Sequence, residues 1–375
     1  MKLQMVDLKG QYERIKSEVD AGIREVVESS AFINGPKVTE FANHLAAYSG
    51  IDHVIPCANG TDALQIALMA LDLKAGDEVI VPSFTYVASA EVIALLGLVP
   101  VMVDVDYSSF NVTIENIKRG LSEKTCAIIP VHLFGQSCNM EPIMDFASLH
   151  GLYVIEDNAQ SIGAKYRFSD GKQKHTGTIG HIGCTSFFPS KNLGCYGDGG
   201  AMMTNDPKLA AKLRMIANHG QEKKYYHSMI GCNSRLDTIQ AAILDVKLKY
   251  LDEYCNTRYN AAAYYSDRLK GVDGIEIPIE SPFSTHVYHQ YTLKVKDGRR
   301  DSLKEFLTQR GIPSMIYYPL PLSEQDAFKS IARIAEPLKV TKRLCNEVLS
   351  LPIHTEITHE QQDTIISAIN EFFCT

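Results

Sequence analysis

One lysine in this chain has surroundings that a solvent-facing lysine does not need. Ser186 to Ala201 reads SFFPSKNLGCYGDGGA, with Lys191 behind Phe187, Phe188 and Pro189 and ahead of a run of glycines. A glycine-rich loop with a lysine suggests a phosphate cradle, yet the spacing is not the GxxxxGK(S/T) of a nucleotide-binding loop. Facing water is the usual fate of a lysine but leaves the apolar setting unexplained. The third reading is covalent. An amine with a pKa near 10.4 is a poor nucleophile at neutral pH, and desolvation or nearby positive charge must lower that value before it attacks a carbonyl. A fall of roughly three units corresponds to about 4 kcal/mol, and an apolar wall of two phenylalanines and a proline supplies part of it.

Three other stretches carry chemistry of a complementary kind. In CANGTDAL (Cys57 to Leu64), Gly60 and Thr61 lead straight into a helical pattern, so free N–H groups and the positive end of the dipole meet there. That end is an anion site, or an N-cap alone. In VIEDNAQSIGA (Val154 to Ala164), Asp157 stands at the end of a strand-like run, where a partly desolvated carboxylate needs a cationic or hydrogen-bonding partner. The plainer reading is a turn-capping aspartate. In PSFTYVASAE (Pro82 to Glu91), Phe84 offers a flat face to a planar ring, or joins the core. One ligand uses all four at once. Pyridoxal 5′-phosphate wants a helix N-terminus for its phosphate, a carboxylate for its pyridinium nitrogen, a lysine for its aldehyde and an aromatic over its ring.

The elements that must position these groups alternate along the chain. EVIVP, VPVMVDVD, CAIIPVHL and LYVIED read as apolar strands, while TDALQIALMALDL and VASAEVIALLGL read as helices. Strands that are apolar throughout predict an α/β fold with a mostly parallel sheet covered on both faces. Such sheets bind ligands beyond the carboxyl ends of their strands. From Thr238 to about Gly271 one long helical pattern follows, then HVYHQYTLKV as a strand, SLKEFLTQRG as a helix and IPSMIYYP as a strand. The expected organisation is a large domain over 1–245 and a smaller α+β domain over 246–375, tethered by the long helix.

Composition narrows the partners. The 375 residues are 45% hydrophobic and 22% charged, with a net charge of −7, which argues against nucleic acid and anionic membrane surfaces. Nine cysteines are scattered with no CxxC pair, the pattern of reduced thiols. The opening MKLQMVDLKGQYERIKSEVD has charges every few residues and no apolar run, so no signal peptide or membrane span and a cytoplasmic protein are expected. His286 and His289 fall on opposite faces of a strand at their spacing, so no metal site is expected. Tyr225, Tyr226 and His227 read as an aromatic loop that edges a site or a subunit contact.

Nearly end to end, the chain resembles the DegT/DnrJ/EryC1/StrS family of sugar-nucleotide aminotransferases. The motifs are FINGPKVTEFANHLAAYSG, ANGTDALQIAL, FTYVASAE, EDNAQSIGA, SFFPSKNLG and GCNSRLDTIQAAIL, in that order. The resemblance implies the fold-type I architecture of pyridoxal-phosphate enzymes, a large three-layer domain with a mostly parallel mixed sheet plus a small C-terminal domain. It also implies that Lys191 is the Schiff-base lysine and proton shuttle, and that Asp157 keeps the pyridine nitrogen protonated. Gly60, Thr61 and Ser186 would cradle the phosphate, Gln160 would lie near the 3-hydroxyl and Phe84 over the ring. Asn233 would reach the phosphate of a neighbouring subunit, so a homodimer with shared sites is expected.

Relatives that act as dehydratases carry histidine in place of the lysine, so Lys191 favours transamination. With Phe188, NHGQ and NSRLDTIQAAIL, the chain looks most like enzymes that aminate C3 of UDP-2-acetamido-2-deoxy-3-oxo-D-glucuronate. Their amino donor is L-glutamate, and they serve bacterial surface polysaccharide. Arg235 would grip the sugar carboxylate, or pair with Asp237. Tyr317 stands where many relatives have histidine, ahead of Tyr318 and Pro319, and both tyrosines are expected beside the sugar. The alternative substrate is a dTDP-linked 3-oxo-6-deoxyhexose. Ligand-sensing regulators of similar fold carry a DNA-binding segment, and with the first motif this near the start a catalytic rather than a regulatory role is expected.

Overall fold

The computed structural model describes residues 3–374. Among these, eight strands form the main sheet, in the order His53–Cys57, Gly200–Thr204, Ile182–Ser186, Tyr153–Asp157, Thr125–Ile128, Glu78–Pro82, Val99–Val103 and Arg333–Ile334. Gly200–Thr204 runs antiparallel to both neighbours, and all the other pairs are parallel. Alternate residues of one strand serve two cores. Val79 and Val81 pack under the helices Gly60–Met69, Ala88–Leu95 and Pro207–Ala217, while Ile80 packs with Ile117 and Ile143 from the helices Ile114–Gly120 and Met140–His150. Both faces are covered, so the strand has no polar side, and all five residues of Glu78–Pro82 are buried.

The other unit is built on an antiparallel sheet of Ile275–Glu276, Tyr291–Val295 and Val348–Leu351. Tyr265, Leu293, Leu303, Leu349 and Ile365 join that sheet to the helices Leu251–Leu269, Arg300–Gln309 and His359–Cys374. The expected single helix from Thr238 is two, Thr238–Leu248 and Leu251–Leu269, broken at Lys249 and Tyr250. The cut expected at 245/246 therefore falls inside the first of them. The later sequence also crosses back. Leu322 and Phe328 enter the large core, and Arg333, on the edge strand, holds Glu78 through Nε–Oε1 at 2.9 Å and Nη2–Oε2 at 2.7 Å.

Several expected strands are shorter. CAIIPVHL is a strand only to Ile128, because Pro130 has no N–H to continue the ladder. IPSMIYYP keeps one isolated bridge, Met315 with Ser350, between its two prolines. His286 to Gln290 form a bend with Tyr288 at φ 43°, and the strand starts at Tyr291. His286 and His289 are thus not on a strand, and the opposite-face argument does not apply to them. Ile182–Ser186 and Gly200–Thr204 gave no strand signal, being built partly of small residues.

Glu156 holds the central strand from behind. Its fully buried carboxylate accepts N–H groups of Gly177 (2.8 Å), Ile179 (2.7 Å) and Gly180 (2.5 Å), and His132 Nε2 at 2.8 Å. His132 Nδ1 accepts from the Cys138 N–H at 3.1 Å, so Nε2 carries the proton and donates. Burial opposes ionisation of Glu156, but His132 and the loop N–H groups outweigh it and hold the carboxyl below its ordinary pKa. A group of this kind stabilises the fold above its unfolded pKa and loses that contribution as pH falls through the folded one. Glu156→Gln turns an amide N–H₂ toward these donors and should cost about 3 kcal/mol in denaturant unfolding at pH 7. Unchanged stability would refute this account of the strand's anchor.

Candidate functional site

The loop 187–196, the carboxyl ends of Tyr153–Asp157 and Ile182–Ser186, and the start of Gly60–Met69 open onto one cavity of about 540 Å³. Gly60, Thr61, Asp157, Gln160, Ser186, Lys191, Tyr317 and Tyr318 all line it. These eight were singled out from separate motifs, and the fold brings them together.

At one end is the helix start. Asn59 caps it, its side chain accepting from the Asp62 N–H at 2.8 Å and its carbonyl from the Ala63 N–H at 3.1 Å. The N–H groups of Gly60 and Thr61 have no partner among the described residues. Close approach makes this end possible. A Cβ on Gly60 would lie 2.7 Å from Ser186 Cβ, and one on Gly200 would lie 2.4 Å from the Asn59 carbonyl. Unpaired N–H groups, the helix dipole and the Ser186 hydroxyl together form an anion site.

Deeper in, Asp157 Oδ2 accepts from the Ser89 hydroxyl at 2.7 Å and Oδ1 from the Ala159 N–H at 3.1 Å. Each oxygen keeps a lone pair for a cationic N–H. Gln160 is fixed from both sides: its Oε1 accepts from the Phe134 N–H at 2.8 Å, and its Nε2 donates to Tyr318 Oη at 3.2 Å.

Lys191 lies in a closed loop, in which the Lys191 N–H meets the Phe188 carbonyl at 2.9 Å and the Cys195 N–H meets the Phe187 carbonyl at 2.8 Å. Burial pushes its pKa down to about 8, with Asp157 opposing the shift. About a tenth of the amine is then neutral at pH 7, against less than one part in a thousand for an ordinary lysine. His289 faces the same cavity with Nδ1 unpartnered. Burial, with help from the charges of Lys191 and Arg258, holds it well below its ordinary pKa, so it is neutral.

Two expectations change, those for Phe84 and Phe187. Phe84 does not reach the cavity; it is 1% exposed and packs edge-on against Phe134 and Tyr318 in the core behind. The exposed aromatic of that motif is Tyr86, two residues on, which does line the cavity. Phe187 likewise packs into the core against Phe41, leaving Phe188 at the cavity wall. Asn233, expected to reach a neighbouring subunit, and Arg235 stand outside the cavity of their own subunit. Arg235 Nη2 donates to Asn233 Oδ1, and Arg235 borders a separate cavity of about 300 Å³ with Asn34, Asn43, Arg214 and Ser234. Among the described residues Arg235 makes no ion pair with Asp237.

Sequence reasoning missed Ser89, Tyr86, Phe134, His289 and Gln290. The first two lie in the motif already chosen for Phe84, while the last two follow from no local pattern. No helix among the described residues is long and apolar enough to cross a membrane, and no cluster of three or more His, Cys, Asp or Glu gathers there. All nine cysteines are free.

The donor set fits pyridoxal phosphate group by group: free N–H groups and a hydroxyl for the phosphate, a buried carboxylate for the ring nitrogen, and a partly buried amine of lowered pKa for the aldehyde. When bound, that cofactor draws electrons from the carbon whose bond is to be broken. Asp157 would hold its ring nitrogen protonated, so Asp157→Asn should lower kcat by orders of magnitude with cofactor still retained; near-normal turnover would assign that work to another group. A second test needs no cofactor. Below about pH 8 the folded apo-protein must protonate Lys191 against burial, a cost that shrinks as pH rises toward 10.5 and then disappears. Lys191→Met apo-protein should therefore be more stable by about 2 kcal/mol at pH 7, with the gain fading by pH 10. A gain independent of pH would mean that Lys191 is not held dry.

Residues 13–370 match the DegT/DnrJ/EryC1/StrS aminotransferase family. The chain is similar to a pleiotropic regulatory protein of Geobacillus stearothermophilus, 45% identical over 100% of this chain and 99% of the other. It is 46% identical to the UDP-2-acetamido-2-deoxy-3-oxo-D-glucuronate aminotransferase of Pseudomonas aeruginosa, over 94% and 95%. It is 38% identical to the dTDP-3-amino-3,4,6-trideoxy-alpha-D-glucose transaminase of Streptomyces venezuelae, over 99% and 96%. A solved aminotransferase structure of the same family from Brucella abortus superposes with TM-score 0.93 at 43% identity, covering 100% of both chains. The architecture is fold-type I. The chain belongs to the DegT/DnrJ/EryC1/StrS aminotransferase family and is a pyridoxal-phosphate-dependent sugar-nucleotide aminotransferase.

Proposed function

We propose that this enzyme transfers the amino group of L-glutamate to C3 of UDP-2-acetamido-2-deoxy-3-oxo-D-glucuronate. The reaction would supply bacterial surface polysaccharide or lipopolysaccharide O-antigen from the cytoplasm. Gly60, Thr61 and Ser186 bind the cofactor phosphate, Asp157 the ring nitrogen and Gln160 the 3-hydroxyl side. Lys191 would hold the cofactor's aldehyde carbon, and its free amine would take and return the proton at the carbon bearing nitrogen. Tyr86, Tyr317 and Tyr318 border the sugar.

The 46% identity to the Pseudomonas aeruginosa enzyme supports the uronate reading, which requires a group to bind the substrate carboxylate. Among the described residues Lys191 is the only lysine or arginine lining the cavity, so a substrate carboxylate has no guanidinium in its own subunit. Arg235, oriented by Asn233, stands outside it. In a homodimer a second copy of this loop would supply Asn233 to the phosphate and Arg235 to the carboxylate, bidentately. Tyr317, in a position where many relatives have histidine, together with the dTDP-sugar relative, favours a second reading. In that one the acceptor is an uncharged dTDP-3-oxo-6-deoxyhexose.

The two acceptors decide. After glutamate has aminated the cofactor, the uronate should be turned over with the higher kcat/KM, and a preference for the deoxyhexose would overturn the assignment. Arg235→Ala should lower kcat/KM on the uronate about 100-fold while changing the deoxyhexose about threefold or less. Mixing Lys191→Ala with Arg235→Ala subunits should restore about a quarter of wild-type activity if sites are shared between two copies. No recovery would place both residues in one subunit's site.

A further inference from the structure

A second lysine is buried against the loop that carries Lys191, and the reaction as described does not use it. Lys247 is 1% exposed on the helix Thr238–Leu248, among the buried residues Ile243, Leu244, Val246 and Leu248. No carboxylate pairs with it among the described residues. Burying an ammonium without a counter-charge is costly, and a leucine or methionine would fill the same face without that cost. What the lysine gains is one hydrogen bond: Nζ donates to the Gly194 carbonyl at 2.5 Å, with the Tyr196 ring 5.1 Å away. Burial lowers its pKa to about 8, the nearby Cys195 thiol opposing the shift and Arg258 adding to it. Charged or neutral, the amine keeps an N–H to give.

Gly194 closes the loop that carries Lys191. The loop's two ends meet where the Cys195 N–H reaches the Phe187 carbonyl at 2.8 Å. Gly194 then presses across its middle, where a Cβ would lie 2.4 Å from the Pro189 carbonyl oxygen and 2.7 Å from that of Phe188. Displacing Gly194 therefore displaces the turn on which Lys191 stands. Two turns earlier on the same helix, Gln240 accepts the Tyr196 N–H at 2.8 Å and donates to the Tyr196 carbonyl at 3.4 Å. One helix face thus grips the exit of the lysine loop at three backbone atoms. On the far side Asn192 Nδ2 ties the loop to the Val287 carbonyl at 2.9 Å.

We propose that Lys247 is a positioning residue: through the Gly194 carbonyl it fixes the loop that holds Lys191 at the cofactor's aldehyde. The inference rests on the cofactor and not on which sugar is accepted. Its test therefore fails or succeeds apart from the substrate assignment.

The experiment uses full-length Lys247→Met and Lys247→Arg, each reconstituted with pyridoxal phosphate and compared with wild type. The expected result for Lys247→Met is a folded protein whose cofactor Kd is weakened about tenfold. The absorbance of the lysine-bound cofactor should also titrate about one unit higher in pH, as water enters around Lys191. Lys247→Arg, which keeps a donor, should recover both values to within about threefold. Wild-type Kd and titration in Lys247→Met, whatever its melting temperature, would mean that the lysine only fills space, and would overturn the proposal. Should Lys247→Met fail to fold, the same two readouts on Lys247→Gln decide, since its amide is too short to make the contact, and wild-type values there overturn the proposal equally.

Discussion

To act as proposed, Lys191 has to be kept short of water without a partner close enough to fix its proton. Exposed, it would stay charged and inert; paired directly with a carboxylate, it would be pinned as an ammonium. The fold meets both conditions by placing amine and carboxylate on different elements around one cavity. Lys191 hangs from a closed loop, and Asp157, at a strand end, has its oxygens partly occupied by Ser89 and the Ala159 N–H. Desolvation then dominates the lysine, and the attraction of Asp157 only moderates it. Much of the remaining architecture keeps that cavity in shape.

Consecutive residues of one strand divide the work. Glu156 and Asp157 point to opposite faces of the sheet, as the strand period requires. Glu156 is saturated by four donors and anchors the strand, while Asp157 is left with capacity toward the cavity. On the other side, Gly60 and Gly200 let the helix start and two strands approach closer than any side chain allows. The proposed anion end and the loop of Lys191 thus sit on parts of the sheet that approach too closely to shift independently. The helix Thr238–Leu248 extends the linkage, running from the loop with Asn233 and Arg235 to the grip on Gly194 and Tyr196.

The alternation of apolar runs with helical patterns made the α/β class legible, because a sheet covered on both faces leaves no polar strand side to confuse the reading. The site was legible where one residue type was irreplaceable: the lysine among aromatics, the strand-end carboxylate, the glycine at a helix start. It was illegible where only direction decides. Phe84 and Tyr86 are both aromatic and two residues apart, yet one is core and the other faces the cavity. The paired strands Ile182–Ser186 and Gly200–Thr204 went unread because their small residues are selected by close approach, not by β-propensity.

By itself, then, the sequence determined the chemistry on offer, since residue identity sets which groups can bond covalently, carry charge or free a backbone N–H. Tertiary structure alone decided which of them meet. It drew His289 and Gln290 in from a bend some hundred residues after Lys191. It left Arg235 outside the cavity, and it buried Lys247 against a carbonyl of the loop that carries Lys191. The reason is physical: burial and hydrogen-bond partners are properties of packing between distant segments, and no local pattern carries them.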